Sequence, residues 1–171
     1  MTHPILNLDA LAWREIDAIK PGAPERYRGA RLAPVGPRVG AQRLGYNVTE
    51  LPPGKAAFPA HNHYANEELF FILEGTGEVR IGADVHPVRA GDFIACPPGG
   101  PETAHQIRNT GAVTLRYIAV STTQTPELVQ YPDSGKTGAN HMLGRDADGM
   151  PVAVRIMTRE ADSLDYWDGE D

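Results

Sequence analysis

Three side chains with metal-ligand chemistry fall close together in this chain. They are His61 and His63, separated only by Asn62, and Glu68 a few residues on. In an extended chain, residues two apart project to the same side, so the two imidazoles point together. Glu68 follows a short bend at the start of the next apolar segment, where it can face the same interior. Two imidazoles and a carboxylate suit a borderline divalent ion: iron, manganese, nickel, cobalt or zinc. Neutral histidines leave the ion's charge reduced only by Glu68, so a bound metal remains a useful Lewis acid.

The elements that must position these residues read as short strands. The chain has 18 glycines and 15 prolines, scattered singly or in pairs, which punctuate many strands and turns more naturally than a few long helices. The pattern predicts strands over 44–48, 68–73, 78–81, 85–88, 93–95, 105–108, 113–120 and 152–157. The second pair forms a hairpin around Gly82-Ala83-Asp84. Asp9 is expected to cap a short helix running through Leu11, Trp13 and Ile16 and ended by Pro21-Gly22. Residues 21–43 and 121–150 read as irregular. Strands at this spacing suggest an all-β sandwich or barrel.

The passage from Gly54 through His61, His63 and Glu68 to Gly75 resembles the first motif of the cupin superfamily, Gly-x5-His-x-His-x3-4-Glu-x6-Gly, with one extra residue between Gly54 and His61. Glu67 fits the shorter His–Glu spacing but not the gap to Gly75, so the ligand is assigned to Glu68. The second motif, Gly-x5-Pro-x-Gly-x2-His-x3-Asn, is matched by Gly91, Pro97, Gly99, His105 and Asn109, with residues 100–104 lengthening the last gap before the histidine. The resemblance implies an antiparallel jelly-roll β-barrel with one divalent metal inside, held by His61, His63, Glu68 and His105, with one or two positions left for water or ligand. It also implies a homodimer. The expected organisation is an N-terminal arm with a short helix (1–43), a barrel core (44–120) and a C-terminal extension with a last strand (121–171), all within one domain. The whole chain is similar to a group of bacterial single-domain cupins.

Further contacts to a small-molecule substrate are expected from Tyr46 or Arg116, one of Tyr46 and Asn47 having to face inward. Lys136 and His141 belong to a stretch that could fold over the barrel mouth. Cys96, beside Pro97-Pro98, reads as a small buried hydrophobe, and His86 as a surface residue.

A net charge of −6 argues against nucleic-acid or anionic-membrane partners. The charge is unevenly placed: residues 20–43 hold six basic residues against one acidic, and residues 158–171 hold six acidic against one basic. The two ends could meet within a subunit or across a dimer. A single cysteine excludes an intrachain disulfide, and with no signal-like N-terminus or membrane-length apolar run a cytoplasmic protein is expected. The functions left open are a metal-dependent enzyme on a small organic molecule (dioxygenase-like, or sugar-phosphate isomerase- or decarboxylase-like) and a non-catalytic binder of a carboxylate or sugar.

Overall fold

The computed structural model describes residues 3–145 and 151–170. Its strands are β1 (Arg14–Glu15), β2 (Arg31–Pro34), β3 (Leu44–Leu51), β4 (Asn62–His63), β5 (Glu68–Glu74), β6 (Thr76–Ile81), β7 (Asp84–Arg89), β8 (Phe93–Cys96), β9 (His105–Arg108), β10 (Leu115–Thr122), β11 (Glu127–Tyr131), β12 (Lys136–Arg145) and β13 (Pro151–Thr158). Two single-turn helices, α1 (Ile16–Ile19) and α2 (Gly36–Val39), lie in the N-terminal arm. All strand pairs are antiparallel, in sheets ordered β1-β2-β3-β10-β5-β8, β13-β12-β11-β4 and β7-β6-β9. Together they form a jelly-roll barrel.

Period-2 alternation sets which side chains fill it. On β10, Leu115, Tyr117 and Ala119 are buried while Arg116, Ile118 and Val120 lie on the other face. On β5, Glu68, Phe70 and Ile72 turn inward. Leu51, Ile72 and Leu115 are fully enclosed, with Val79, Ile94 and Ile107 packed around them. Each large apolar side chain so buried contributes about 1.5–3 kcal/mol. Gly75 closes the β5–β6 turn with φ +82°, and a Cβ there would sit 2.5 Å from the Thr114 carbonyl oxygen, so both conformation and space require glycine. Asn109 is shut inside, its amide donating to the carbonyls of Leu51 and Val113 at 2.7 and 2.8 Å, which ties the β9–β10 turn to β3.

Three expectations are corrected. The N-terminal helix from Asp9 through Ile16 does not form as one element. Asn7, not Asp9, caps a single 3-10 turn over Leu8–Ala10, and the chain then runs extended before the short α1. The extended run lets Trp13 lie against the guanidinium groups of Arg31 and Arg116. Residues 21–43 are not wholly irregular either, since β2 pairs with β3 and α2 follows it.

The stretch 121–150 is likewise largely strand. β11 and β12 pair with each other, β11 pairs with β4 and β12 with β13. Its polar composition hides this, because β11 and β12, though inner strands of their sheet, leave most of their side chains half-buried or exposed. Residues 146–150 of that stretch lie outside the described residues.

Candidate metal centre

His61 and His63 reach one interior from a chain segment pinned on both sides. His61 makes a two-way backbone bridge with His105, at 3.2 and 2.9 Å, and His63 pairs with Val129 of β11. Asn62 between them points the opposite way, fully buried, and donates to the Gly99 carbonyl at 2.8 Å. Gly99 in turn donates its N–H to the His63 carbonyl at 2.8 Å. The lengthened gap 100–104 folds as a tight 3-10 turn over Pro101–Thr103 and delivers His105 to the start of β9. The extra residues are thus absorbed between two fixed points, Gly99 and His105.

The structure brings His61, Glu68 and His105 together, one ligand-type atom from each lying within 4.8 Å of the others. That is close to the spread of ligand atoms round a single ion, roughly 3–4 Å for bonds of about 2.1 Å. His105 Nε2 is 2.9 Å from Glu68 Oε2. His63 stands beside the trio, its Nε2 3.7 Å from the same Glu68 oxygen. Its ring centroid is 5.1 Å from that of His61 and 6.2 Å from that of His105.

The orphaned atoms bear on whether a metal fits. Both ring nitrogens of His63 are buried without a hydrogen-bond partner among the described residues. Leaving one such nitrogen unsatisfied costs about 1–3 kcal/mol. A cation drawn between His63 and Glu68 would satisfy Nε2. The donor set therefore fits a divalent ion of the borderline class.

Electrostatics agree with the geometry. Burial, then the neighbouring His105, pulls the pKa of His61 down to about 4, leaving that ring neutral and its lone pair available. Its Nδ1 lies 2.9 Å from the Pro59 carbonyl, which fixes Nδ1 as the protonated nitrogen and turns Nε2 toward the cluster. Burial works against a charge on Glu68, but the hydrogen bond from His105 and the surrounding histidines outweigh it and hold the carboxyl below its ordinary value. Glu68 is thus an engaged carboxylate and not a free base.

The other sequence-derived candidates separate. Arg116 faces away from the cluster: it donates to Glu50 at 2.9 and 2.5 Å and lies 3.3 Å from Glu74, on the face opposite Tyr117. Tyr46 shares that outer parity on β3. Asn47 is the inward member of the pair, accepting from Thr49, whose strand partner is Tyr117. Arg116 and Tyr46 thus both lie on the face away from the cluster, because one strand residue of register decides the face. Lys136 does approach, its Nζ 5.3 Å from the ring of Tyr131, which stacks on His61 at 5.9 Å. His141 lies further along β12, its Nδ1 3.2 Å from Thr125 Oγ1. Cys96 is buried beside Glu68, and His86 is exposed on β7.

Two residues near the centre escape a reading of the sequence. Tyr131 flanks His61 as above. Glu127, only 7% exposed, has Oε2 3.8 Å from His63 Nδ1. Both sit on β11, within the stretch read as irregular, where only the weak alternation Glu127-Leu-Val129-Gln-Tyr131 signals a strand.

An antiparallel barrel holding an imidazole–carboxylate cluster at its inner wall defines the class of protein. Residues 47–121 match the family model described as a cupin domain. That segment, less than half of the chain, is similar to a cupin domain. Over 61 residues it is 39% identical to an uncharacterized protein of Methanocaldococcus jannaschii, a match covering 36% of this chain and 46% of that one. Over 71 residues it is 34% identical to an oxalate-binding protein of Thermotoga maritima, covering 42% and 55% respectively. The chain therefore spans about half the length of these relatives. Among solved structures, a sugar phosphate isomerase from a cupin superfamily, from Silicibacter pomeroyi, superposes with a TM-score of 0.73 at 25% identity, covering 96% of this chain and 98% of that one. No helix among the described residues is long and apolar enough to cross a membrane.

Proposed function

We propose that this protein is a metal-dependent enzyme acting on a small organic molecule, with His61, His63, Glu68 and His105 as ligands of one divalent ion. The observation that carries this reading is the convergence of His61, Glu68 and His105 within 4.8 Å, beside a His63 ring whose nitrogens are buried and unpartnered. A bound divalent ion supplies Lewis-acid polarisation of a carbonyl or hydroxyl oxygen. The chain's own residues prepare that chemistry: His61 is kept neutral by burial and oriented by Pro59, and Glu68 is held ionised by His105.

Of the reactions this chemistry allows, isomerisation of a sugar phosphate is favoured over oxygenation. Its support is the near full-length likeness to the Silicibacter pomeroyi isomerase. The test is metal analysis of protein purified without affinity resin, followed by turnover of aldose and ketose phosphates and oxygen uptake with catechols and small oxo acids. About one ion per chain with metal-dependent interconversion is expected. Protein that takes up no divalent ion overturns the proposal, and oxygen consumption in place of interconversion overturns its isomerase form.

A second reading, a non-catalytic carboxylate binder, is favoured by the 34% identity to an oxalate-binding protein. Calorimetry with oxalate on metal-loaded protein distinguishes it: tight binding with no turnover of any substrate supports the binder.

We also propose that the protein works as a homodimer. Leu128 of β11 and Val154 and Ile156 of β13 are exposed on the outward side of the hairpin sheet, an apolar surface that a second copy would cover. The basic 20–43 segment and the acidic tail form no ion pair with each other among the described residues. Sedimentation showing a monomer at micromolar concentration overturns this.

A further inference from the structure

We propose that a cleft outside the barrel, between residues 16–27 of the N-terminal arm and the segments 57–60 and 133–136, binds a small organic anion with a flat apolar body. The cleft has a volume of about 350 Å³, the size of a site for a single ring carrying a charged group. Its floor is apolar and firmly packed: Ile16, Tyr27 and Ala57 are all buried, with Phe58 half-buried beside them.

The rim is cationic, in a protein whose net charge is −6. Lys20, Arg26 and Lys136 line it, and none of the three forms an ion pair within 4.0 Å among the described residues. Asp133, the one carboxylate lining the cleft among the described residues, is already gripped by both guanidinium nitrogens of Arg80 at 3.0 and 2.6 Å, which leaves the local field positive. The arm's other cations are used differently. Arg28 donates to the Ala23 carbonyl, Arg31 to Glu50 and Arg38 to the Ala10 carbonyl. The positive charge of the arm is thus used partly in contacts within the arm and to Glu50 of the barrel, and partly, through Lys20 and Arg26, on this cleft. Arg26 is steadied with its guanidinium 4.9 Å from the ring of Tyr27, and Lys136 lies near the ring of Tyr131, so ordering these cations round an anion costs less conformational freedom than it would for unrestrained side chains.

The cleft shares a wall with the metal centre without opening through the cluster itself. Pro59, on that wall, holds His61 Nδ1, and Phe58 accepts from Gln106 Nε2 at 2.6 Å. Occupancy would press on the segment that aims His61.

The recognising chemistry is shared by aryl phosphates and aryl carboxylates, and a chemical-shift titration of the metal-free full chain separates them. The probes are phenyl phosphate and benzoate, with inorganic phosphate and benzyl alcohol as controls that each lack one half of the ligand. At least one of the two aryl anions is expected to saturate at millimolar concentration or below, shifting the amides of Tyr27, Ala57 and Lys136, with both controls at least tenfold weaker. The Arg26→Met and Lys20→Met variants, both on exposed side chains, are each expected to weaken binding at least several-fold. Absence of saturation by about 10 mM, shifts confined to the surroundings of His61, His63, Glu68 and His105, equal binding of inorganic phosphate, or unchanged affinity in the double variant would each overturn the proposal. Because the titration needs no metal, its failure leaves the metal-centre reading untouched, and the reverse also holds.

Discussion

Glu127 Oε2 lies 3.8 Å from Nδ1 of His63, and the carboxylate is held in place by three groups: the backbone N–H of Tyr64 at 3.1 Å, that of Ala65 at 3.2 Å, and the Asn66 side-chain amide. A carboxylate behind a metal-ligating histidine fixes the ring's tautomer and raises its basicity, and its loss typically lowers metal affinity by about 10–100-fold. Glu127→Gln is therefore expected to weaken divalent metal binding by about that factor in competition against a chelator of known affinity. It should also cost about 1–3 kcal/mol of stability, because the acceptor facing Asn66 is removed. Metal affinity equal to wild type would show that Glu127 serves the β4–β11 junction alone.

Removing a ligand should act more strongly. His61→Ala, Glu68→Gln and His105→Ala are each expected to abolish stoichiometric metal retention through dialysis. In the wild-type protein, metal at about a hundred times its dissociation constant should raise stability by about 2.7 kcal/mol, a shift that the three variants lose. A thermal midpoint that responds to metal equally in all four proteins would place the ion elsewhere.

Metal uptake should also be coupled to pH. Burial disfavours a charge on His105, but hydrogen bonding to Cys96 and Glu68 outweighs this and carries its pKa up to about 10. Since that lies above the ordinary value of 6.5, the charged ring stabilises the metal-free protein fully below about pH 6.5, and this contribution is lost as pH rises through about 10. A metal ion must displace the same proton, so its apparent affinity should rise about tenfold per pH unit between about pH 7 and 9. Calorimetry in buffers of different ionisation enthalpy should register about one proton released per ion. No release in this window would mean that His105 is already neutral before loading.

Arg116, on the outer face, should matter to stability and not to the metal. Glu50 is 4% exposed and accepts from both Arg31 and Arg116, whose guanidinium groups lie against the ring of Trp13. Arg116→Met is expected to cost about 1–3 kcal/mol in denaturant unfolding, with metal affinity unchanged. A selective loss of substrate binding without loss of stability would instead place Arg116 in the site.

Gly75→Ala tests the β5–β6 turn. It forces a side chain into φ +82° and against the Thr114 carbonyl, which should cost about 1–3 kcal/mol or more and lower the thermal midpoint. A midpoint within a degree of wild type would show that the turn relaxes freely.

Much of this protein was legible in the order of its residues, because the relevant signals are local. Period-2 alternation in 68–73, 105–108 and 113–120 marks strands and inward faces, although the last begins only at Leu115, and the spacing of His61, His63 and Glu68 between Gly54 and Gly75 marks candidate ligands. Even the gap before His105 did not obscure it, since residues 100–104 fold into a turn between fixed points. Other features depend on strand register and on partners far along the chain. Tyr46 and Arg116 were candidates until pairing with β10 and β3 turned them outward, a difference of one residue in parity. Glu127 and Tyr131 reach His63 and His61 only because β11 pairs with β4 across more than sixty positions, and no local pattern encodes that pairing. Composition and spacing determined which donors were present and that they could share a strand face. The tertiary structure decided which distant side chains surround them, because strand pairing is fixed by the burial of whole faces and not by any short segment.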